Sequence, residues 1–228
     1  MGFPSVLTMA HRLAAERIRP GDAVIDATVG NGVDTAFLAK AVGPNGIVYG
    51  FDIQPAALEA ARARVAAAAP ETRLELFLAS HHRMAELLPA SLKGRVSAVM
   101  FNLGYLPGAE DVRSVVTRPE TTLAALDASL AFLRPGGVLT VVVYTGHEGG
   151  REEGDAVDEW ARALPASAGQ AVLYRMPQRP QAPYLVAVER KRNLQQADLN
   201  QADLKQADLK QADLKQADLQ QADLQQAD

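Results

Sequence analysis

Short apolar runs alternate with longer helical stretches from residue 24 to residue 188, and glycine or proline turns separate them. Val24-Ile25-Asp26-Ala27 is too short for a helix and apolar enough for a strand buried on both faces. Gly30-Asn31-Gly32 reads as a turn, and Asp34 or Thr35 can cap the next helix, which carries Phe37, Leu38 and Ala41 inward. Gly43-Pro44-Asn45-Gly46 stops that helix, Ile47–Phe51 forms a second strand ending at Asp52, and Pro55 opens an Ala-rich helix to about Ala69. Further strands are expected at Leu74–Leu78, Val96–Phe101 and Val138–Tyr144, with helices at Glu120–Phe132 and Glu152–Leu164 and a turn at Pro135-Gly136-Gly137. Ala171–Met176 and Tyr184–Val188 then form a hairpin pair. This order specifies an α/β domain with a doubly wound, mostly parallel seven-stranded sheet and helices on both faces.

The end of the chain follows another rule. From Ala197 the sequence reads Ala-Asp-Leu-x-Gln six times and then Ala-Asp. In an α-helix a five-residue step turns each Leu by about 140°, so Leu199, Leu204, Leu209 and Leu214 spiral round the axis and no apolar face forms. The repeat resembles the pentapeptide-repeat family, whose units wind a right-handed β-helix with Leu and Ala inward. Six units give about one and a half coils, and stacked repeats need several layers to bury a core. A solvated extension is the first reading, with a short β-helical cap or self-association element as the alternative. The domain boundary is drawn between 1–192 and 193–228, and the tail is assigned no catalysis. Its seven Asp and three Lys account for the formal charge of −4, leaving residues 1–192 neutral.

Other classes fall away. The chain has no Cys, which excludes a disulfide scaffold and a thiolate nucleophile. No apolar run approaches the roughly 20 residues of a membrane span. Met1-Gly2-Phe3-Pro4-Ser5 lacks the basic-then-apolar pattern of a secretory leader, so a cytoplasmic protein is expected. His11, His81, His82 and His147 show no i, i+4 pair, and no metal site is expected.

In sheets of this kind ligands bind at the carboxyl ends of the strands, near the point where strand order reverses. Glycines 30 and 32 let the backbone approach a ligand closely, and the following helix N-terminus offers free N–H groups. Asp52, 20 residues beyond Gly32, can accept hydrogens from both hydroxyls of a ribose. A dinucleotide fingerprint would place a third glycine after Gly30-x-Gly32, and Asp34 would repel a pyrophosphate at that helix mouth. S-adenosylmethionine, with its sulfonium and amino-acid portion, tolerates Asp26 and Asp34 and fits better than a nicotinamide dinucleotide. Asp34 as a plain helix cap remains the alternative.

Asp26-Ala27-Thr28-Val29-Gly30-Asn31-Gly32-Val33-Asp34-Thr35, Gly50-Phe51-Asp52-Ile53-Gln54, Ser80-His81, Phe101-Asn102-Leu103-Gly104-Tyr105-Leu106-Pro107-Gly108 and Tyr144-Thr145-Gly146-His147-Glu148-Gly149-Gly150 occur in that order. The series, spanning about Val6 to Glu189, resembles a small family of class I methyltransferases long labelled rRNA methylases. Some members methylate tRNA, converting 5-aminomethyl-2-thiouridine at the wobble position to its methylaminomethyl form. The resemblance implies a Rossmann-like fold, S-adenosylmethionine as cofactor, and an RNA partner, most simply the tRNA anticodon stem-loop. It places Asp26, Thr28, Gly30, Asn31, Gly32, Asp34 and Thr35 around the cofactor, Asp52 at the ribose with Ile53 and Gln54 beside the adenine, and Ser80 and His81 after the third strand.

On the acceptor side, Asn102-Leu103-Gly104-Tyr105 resembles the Asn-Pro-Pro-Tyr motif of methyltransferases acting on amino nitrogens, with Leu103 and Gly104 in place of the prolines. A side-chain amide oxygen accepts the amine's hydrogens and aims its lone pair at the methyl group, while a Tyr ring packs against the nitrogen as it gains charge. Asn102, Tyr105 and His147 are the candidate catalytic residues, with Asn102 also beside the cofactor. His147 is either a proton acceptor or a structural or RNA contact. Leu103, Gly104 and Tyr144 would meet the substrate base, and His11 is either a pocket contact or a partly buried helix histidine. Arg113, Thr117, Arg118, Arg175 and Arg179 are candidates for phosphate contact, against the alternative of solvated surface. An rRNA or small-molecule amine acceptor, a nicotinamide oxidoreductase and a non-catalytic binding protein are the competing functions, and a homodimer stays open.

Overall fold

A computed structural model describes residues 2–104 and 117–191. Seven strands form one sheet: β1 (Ala23–Asp26), β2 (Ile47–Asp52), β3 (Arg73–Leu78), β4 (Val96–Asn102), β5 (Leu133–Val143), β6 (Gly169–Tyr174) and β7 (Tyr184–Arg190). Their order is β3-β2-β1-β4-β5-β7-β6, with only β7 antiparallel to its two neighbours. The chain turns back at β1, whose neighbours β2 and β4 lead to opposite edges, and this is the crevice where such sheets hold ligands.

Alternating side chains of the central strands face two helical layers. Val24, Val48, Ala98, Met100, Leu185 and Ala187 pack with α1 (Val6–Ala15), α2 (Val33–Val42) and α3 (Pro55–Ala68). Ile25, Tyr49, Phe51, Val99, Phe101, Leu139, Val141 and Val186 pack on the other face with α4 (Met84–Leu87), α5 (Pro119–Phe132) and α6 (Gly150–Ala163). The small residues Ala10 and Ala14 let α1 lie close to the sheet, and Tyr174 Oη donates to the Pro4 carbonyl at 2.7 Å, fixing the entry to α1.

The sequence expectations hold for the element order, with four differences. Pro135-Gly136-Gly137 is an irregularity inside β5 rather than a turn before it: Leu133 pairs with Val96, Val138 with Ala98, and the surplus residues bulge between them. Leu38, Ala39 and Val42 form the buried face of α2, whereas Phe37 is half-buried against His11. Neither Asp34 nor Thr35 caps α2, because Gly32 occupies that position with φ +73°. The first hairpin strand starts at Gly169. The pentapeptide tail and the boundary before residue 193 lie outside the described residues.

Candidate active site

A cavity of about 430 Å³ opens at the carboxyl ends of β1, β2 and β4. Its floor is the turn after β1. Gly32 is required there because a Cβ would sit 2.5 Å from Ala61 Cα, so α3 can close against the turn only over a glycine. Below the turn Asp26, fully buried, accepts from Thr35 Oγ1 at 2.6 Å and from the Thr28 amide at 3.2 Å. Burial, reinforced by the charge of Asp34, pushes the Asp26 carboxyl up to about 7. Thr28 continues the chain of bonds, its Oγ1 accepting from the Asn102 amide at 2.6 Å, so the ends of β1 and β4 are tied together.

At the end of β2, Asp52 accepts from the Gly30 amide through one oxygen and from the Gln54 amide through the other, both at 2.9 Å. An ionised carboxylate has about four lone-pair sites, so a pair remains for two hydroxyl donors. Ile53, half-exposed, and Phe51 supply apolar wall beside it. His81 follows β3 in a 3₁₀ turn, with its ring edge-on to Phe101. Burial pushes that ring down to about 4 against the opposing pull of a backbone hydrogen bond at Ala27, so it is neutral near pH 7.

The wall formed by β4, α2 and α1 is acidic at its centre. Asp34 is nearly buried; its Oδ1 lies 2.6 Å from His11 Nε2, and its Oδ2 accepts from Asn102 Nδ2. Asn102 Oδ1 is buried without a partner among the described residues. Tyr144 lines the same side, and burial together with the Asp34 charge raises its phenol, which stays a hydrogen-bond donor. Beyond it Gly104 donates its amide to Thr117 Oγ1 at 2.9 Å, and Thr117 and Thr122 both donate at 2.6 Å to the buried carboxylate of Glu153 on α6.

The cavity thus gathers Thr28, Gly30, Asn31, Asp34, Asp52, Ile53, Gln54, Ser80, His81, Asn102, Leu103, Gly104, Thr117 and Tyr144 from the sequence candidates. Asp26, Gly32 and Thr35 lie behind its wall instead, since their side chains or backbone are consumed by packing and hydrogen bonds under the turn. His147 is set behind Gly104, its Nδ1 2.9 Å from the Glu148 carbonyl. Arg118 is exposed and meets α5 through its backbone carbonyl, which accepts from Thr121 and Thr122. Arg175 lies over the Tyr184 ring, 4.8 Å from its centroid, and donates to the Pro180 carbonyl. Tyr105 and Arg113 lie outside the described residues. Leu7, Val33 and Thr121 join the lining without having been expected, as does the buried Glu153 behind it. Val33 lies within the motif after the first strand but carries no polar group to single it out, and no local motif marks Leu7, Thr121 or Glu153. Among the described residues no acidic, His or Cys cluster could hold a metal ion, and no helix is long and apolar enough to cross a membrane.

Comparison with known proteins identifies the family and the fold. The family described as Putative rRNA methylase matches residues 48–189, and Pentapeptide repeats match 193–228. The chain is 41% identical over 200 residues to the tRNA (mnm(5)s(2)U34)-methyltransferase, chloroplastic, of Arabidopsis thaliana, covering 84% of this chain and 72% of that protein. A crystal structure described as a putative rRNA-methylase from Clostridium thermocellum superposes with a TM-score of 0.77 at 36% identity, over 83% of this chain and 100% of that one. A protein of Streptococcus mutans described as a putative methyltransferase, in complex with SAH, gives 0.71 at 32% identity, over 83% and 99%.

Proposed function

Because this chain belongs to the rRNA methylase family and is an S-adenosylmethionine-dependent methyltransferase, we propose that it methylates the aminomethyl nitrogen of 5-aminomethyl-2-thiouridine at the wobble position of tRNA. The activity named for the Arabidopsis relative supports this substrate. The observation that carries it is Asn102, which lines the cavity, keeps a buried Oδ1 without a partner among the described residues, and has its Nδ2 held by Asp34.

The residues fit the cofactor. Asp52 has acceptor capacity for a ribose, Ile53 and Phe51 offer apolar surface for a base, and the acidic cavity centre suits a cation. When bound, S-adenosylmethionine supplies an electrophilic methyl group on a sulfonium. The chain's own work is orientation. Asn102 Oδ1 accepts an N–H of the amine, so the nitrogen lone pair turns away from the amide. Tyr144 donates from the same wall, and Leu103 and Gly104 shape the space for the base. The acidic centre holds the charge that builds on the nitrogen. We also assign the anticodon stem-loop as the recognised element, the cytoplasm as the compartment and a homodimer as the assembly to be tested.

The test uses tRNA from cells lacking this protein, incubated with the purified protein and S-adenosylmethionine, digested and analysed by nucleoside mass. A gain of one methyl on the aminomethyl uridine is expected. It should vanish in Asn102→Ala while calorimetric cofactor binding persists. Cofactor binding without that gain would discard the wobble-uridine substrate in favour of rRNA or a small amine.

A further inference from the structure

His11 lies outside the stretch matched by the family model and reaches the site only because α1 folds over the sheet beside α2. Its ring stacks flat on Phe37, with centroids 4.1 Å apart and planes at 3°, which aims Nε2 at Asp34. Asp34 is 6% exposed and bridges His11 to Asn102 through its two oxygens. A carboxylate oxygen only accepts, so the partner it meets on Asn102 must be the NH₂ end of the amide. Turning that amide over would set two acceptors face to face.

We infer that His11 and Asp34 form a positioning pair that fixes the orientation of the Asn102 amide and thereby selects an amine as methyl acceptor. The inference rests on the amine-acceptor reading above, and its chemical content is a choice of polarity. With Nδ2 committed to Asp34, Oδ1 is the atom Asn102 can offer an amine, and by accepting an N–H it leaves the nitrogen lone pair free to take the methyl group. With Nδ2 offered instead, it would donate to that lone pair and remove the electrons the transfer needs. Asp34 enforces the productive choice, and His11 holds Asp34 in place from the far side. No methyl or proton passes through either residue.

The full chain, labelled with ¹⁵N, provides a readout that does not depend on turnover. The Asn102 side-chain amide pair is assigned by its loss in Asn102→Ala. In His11→Ala those resonances should shift or broaden; in His11→Gln, whose Nε2 can still donate to Asp34, they should stay near their wild-type positions. His11→Ala should lower kcat roughly 10–100-fold with tRNA KM and cofactor affinity little changed, and Gln should restore most of it. If His11→Ala does not fold, Asp34→Asn serves, because its amide can meet Asn102 in either orientation and the Asn102 resonances must move. Unmoved Asn102 resonances would overturn the inference, as would a loss of cofactor affinity in His11→Ala that matches the loss of kcat. If the wild-type protein leaves aminomethyl tRNA unmethylated, the substrate reading falls, and the amide resonances still decide the positioning role.

Discussion

Asp52 and Asp26 sit at the carboxyl ends of neighbouring strands, Asp52 two residues beyond the register partner of Asp26, yet they have opposite duties. Asp52 keeps lone pairs available after accepting from Gly30 and Gln54. Replacing it with Ala removes two charge-assisted bonds to a ribose, and S-adenosylmethionine should bind more weakly by roughly 2–4 kcal/mol in calorimetry, with a lower unfolding midpoint from the lost Gly30 and Gln54 bonds. Asp26 is sealed under the turn, with its carboxyl raised from 3.8 to about 7. A raised folded-state value means the native protein holds a proton that the unfolded chain gives up. This contribution to stability is complete below about 3.8 and fades as pH rises through 7. His81, lowered from 6.5 to about 4, works in the opposite sense over its own window and contributes most above 6.5. Comparing wild type with Asp26→Asn isolates the first group. Urea unfolding at pH 5 and pH 8 should show the Asn variant losing less stability on going to the higher pH.

At the scale of elements, the turn between β1 and α2 is the piece on which the site depends. Gly32 combines φ +73° with contact against Ala61 of α3. Gly32→Ala should destabilise the fold by about 2–4 kcal/mol, the sum of left-handed strain and overpacking, read from chemical unfolding. The spacing of glycines and apolar residues makes this turn visible in the sequence, because its φ requirement and the buried strand before it are local properties. Its division of labour is not. Thr35 resembles a helix cap, and only the depth of Asp26 beneath it turns its hydroxyl inward. Likewise α1 shows an ordinary helical pattern, and His11 on it could equally be a packed helix residue. Its bond to Asp34 depends on two helices meeting over the sheet. The bulge in β5 was hidden for the same reason: Pro135-Gly136-Gly137 has turn composition, while pairing on both sides with β4 carries the strand through it.

For the whole molecule, we propose that residues 1–192 act as the methyltransferase and that the repeat at 193–228 is separable from it. A chain ending at Arg192 should keep its cofactor affinity and thermal midpoint, with oligomeric state compared by analytical ultracentrifugation. A lower midpoint or weaker binding would show that the repeat takes part in the domain. By itself the sequence determined the alternation of strands and helices, the crevice at the end of the first strand, the acid at the end of the second and the Asn102 segment after the fourth. Those follow from periodicity, backbone preference and residue chemistry over a few neighbouring positions. The tertiary structure decided which candidates face the cavity and which lie behind it. It brought His11, Asp34 and Asn102 into one chain of contacts and placed Glu153 beneath Thr117. Such contacts join residues far apart in the chain, and they exist only once the helices have packed on the sheet.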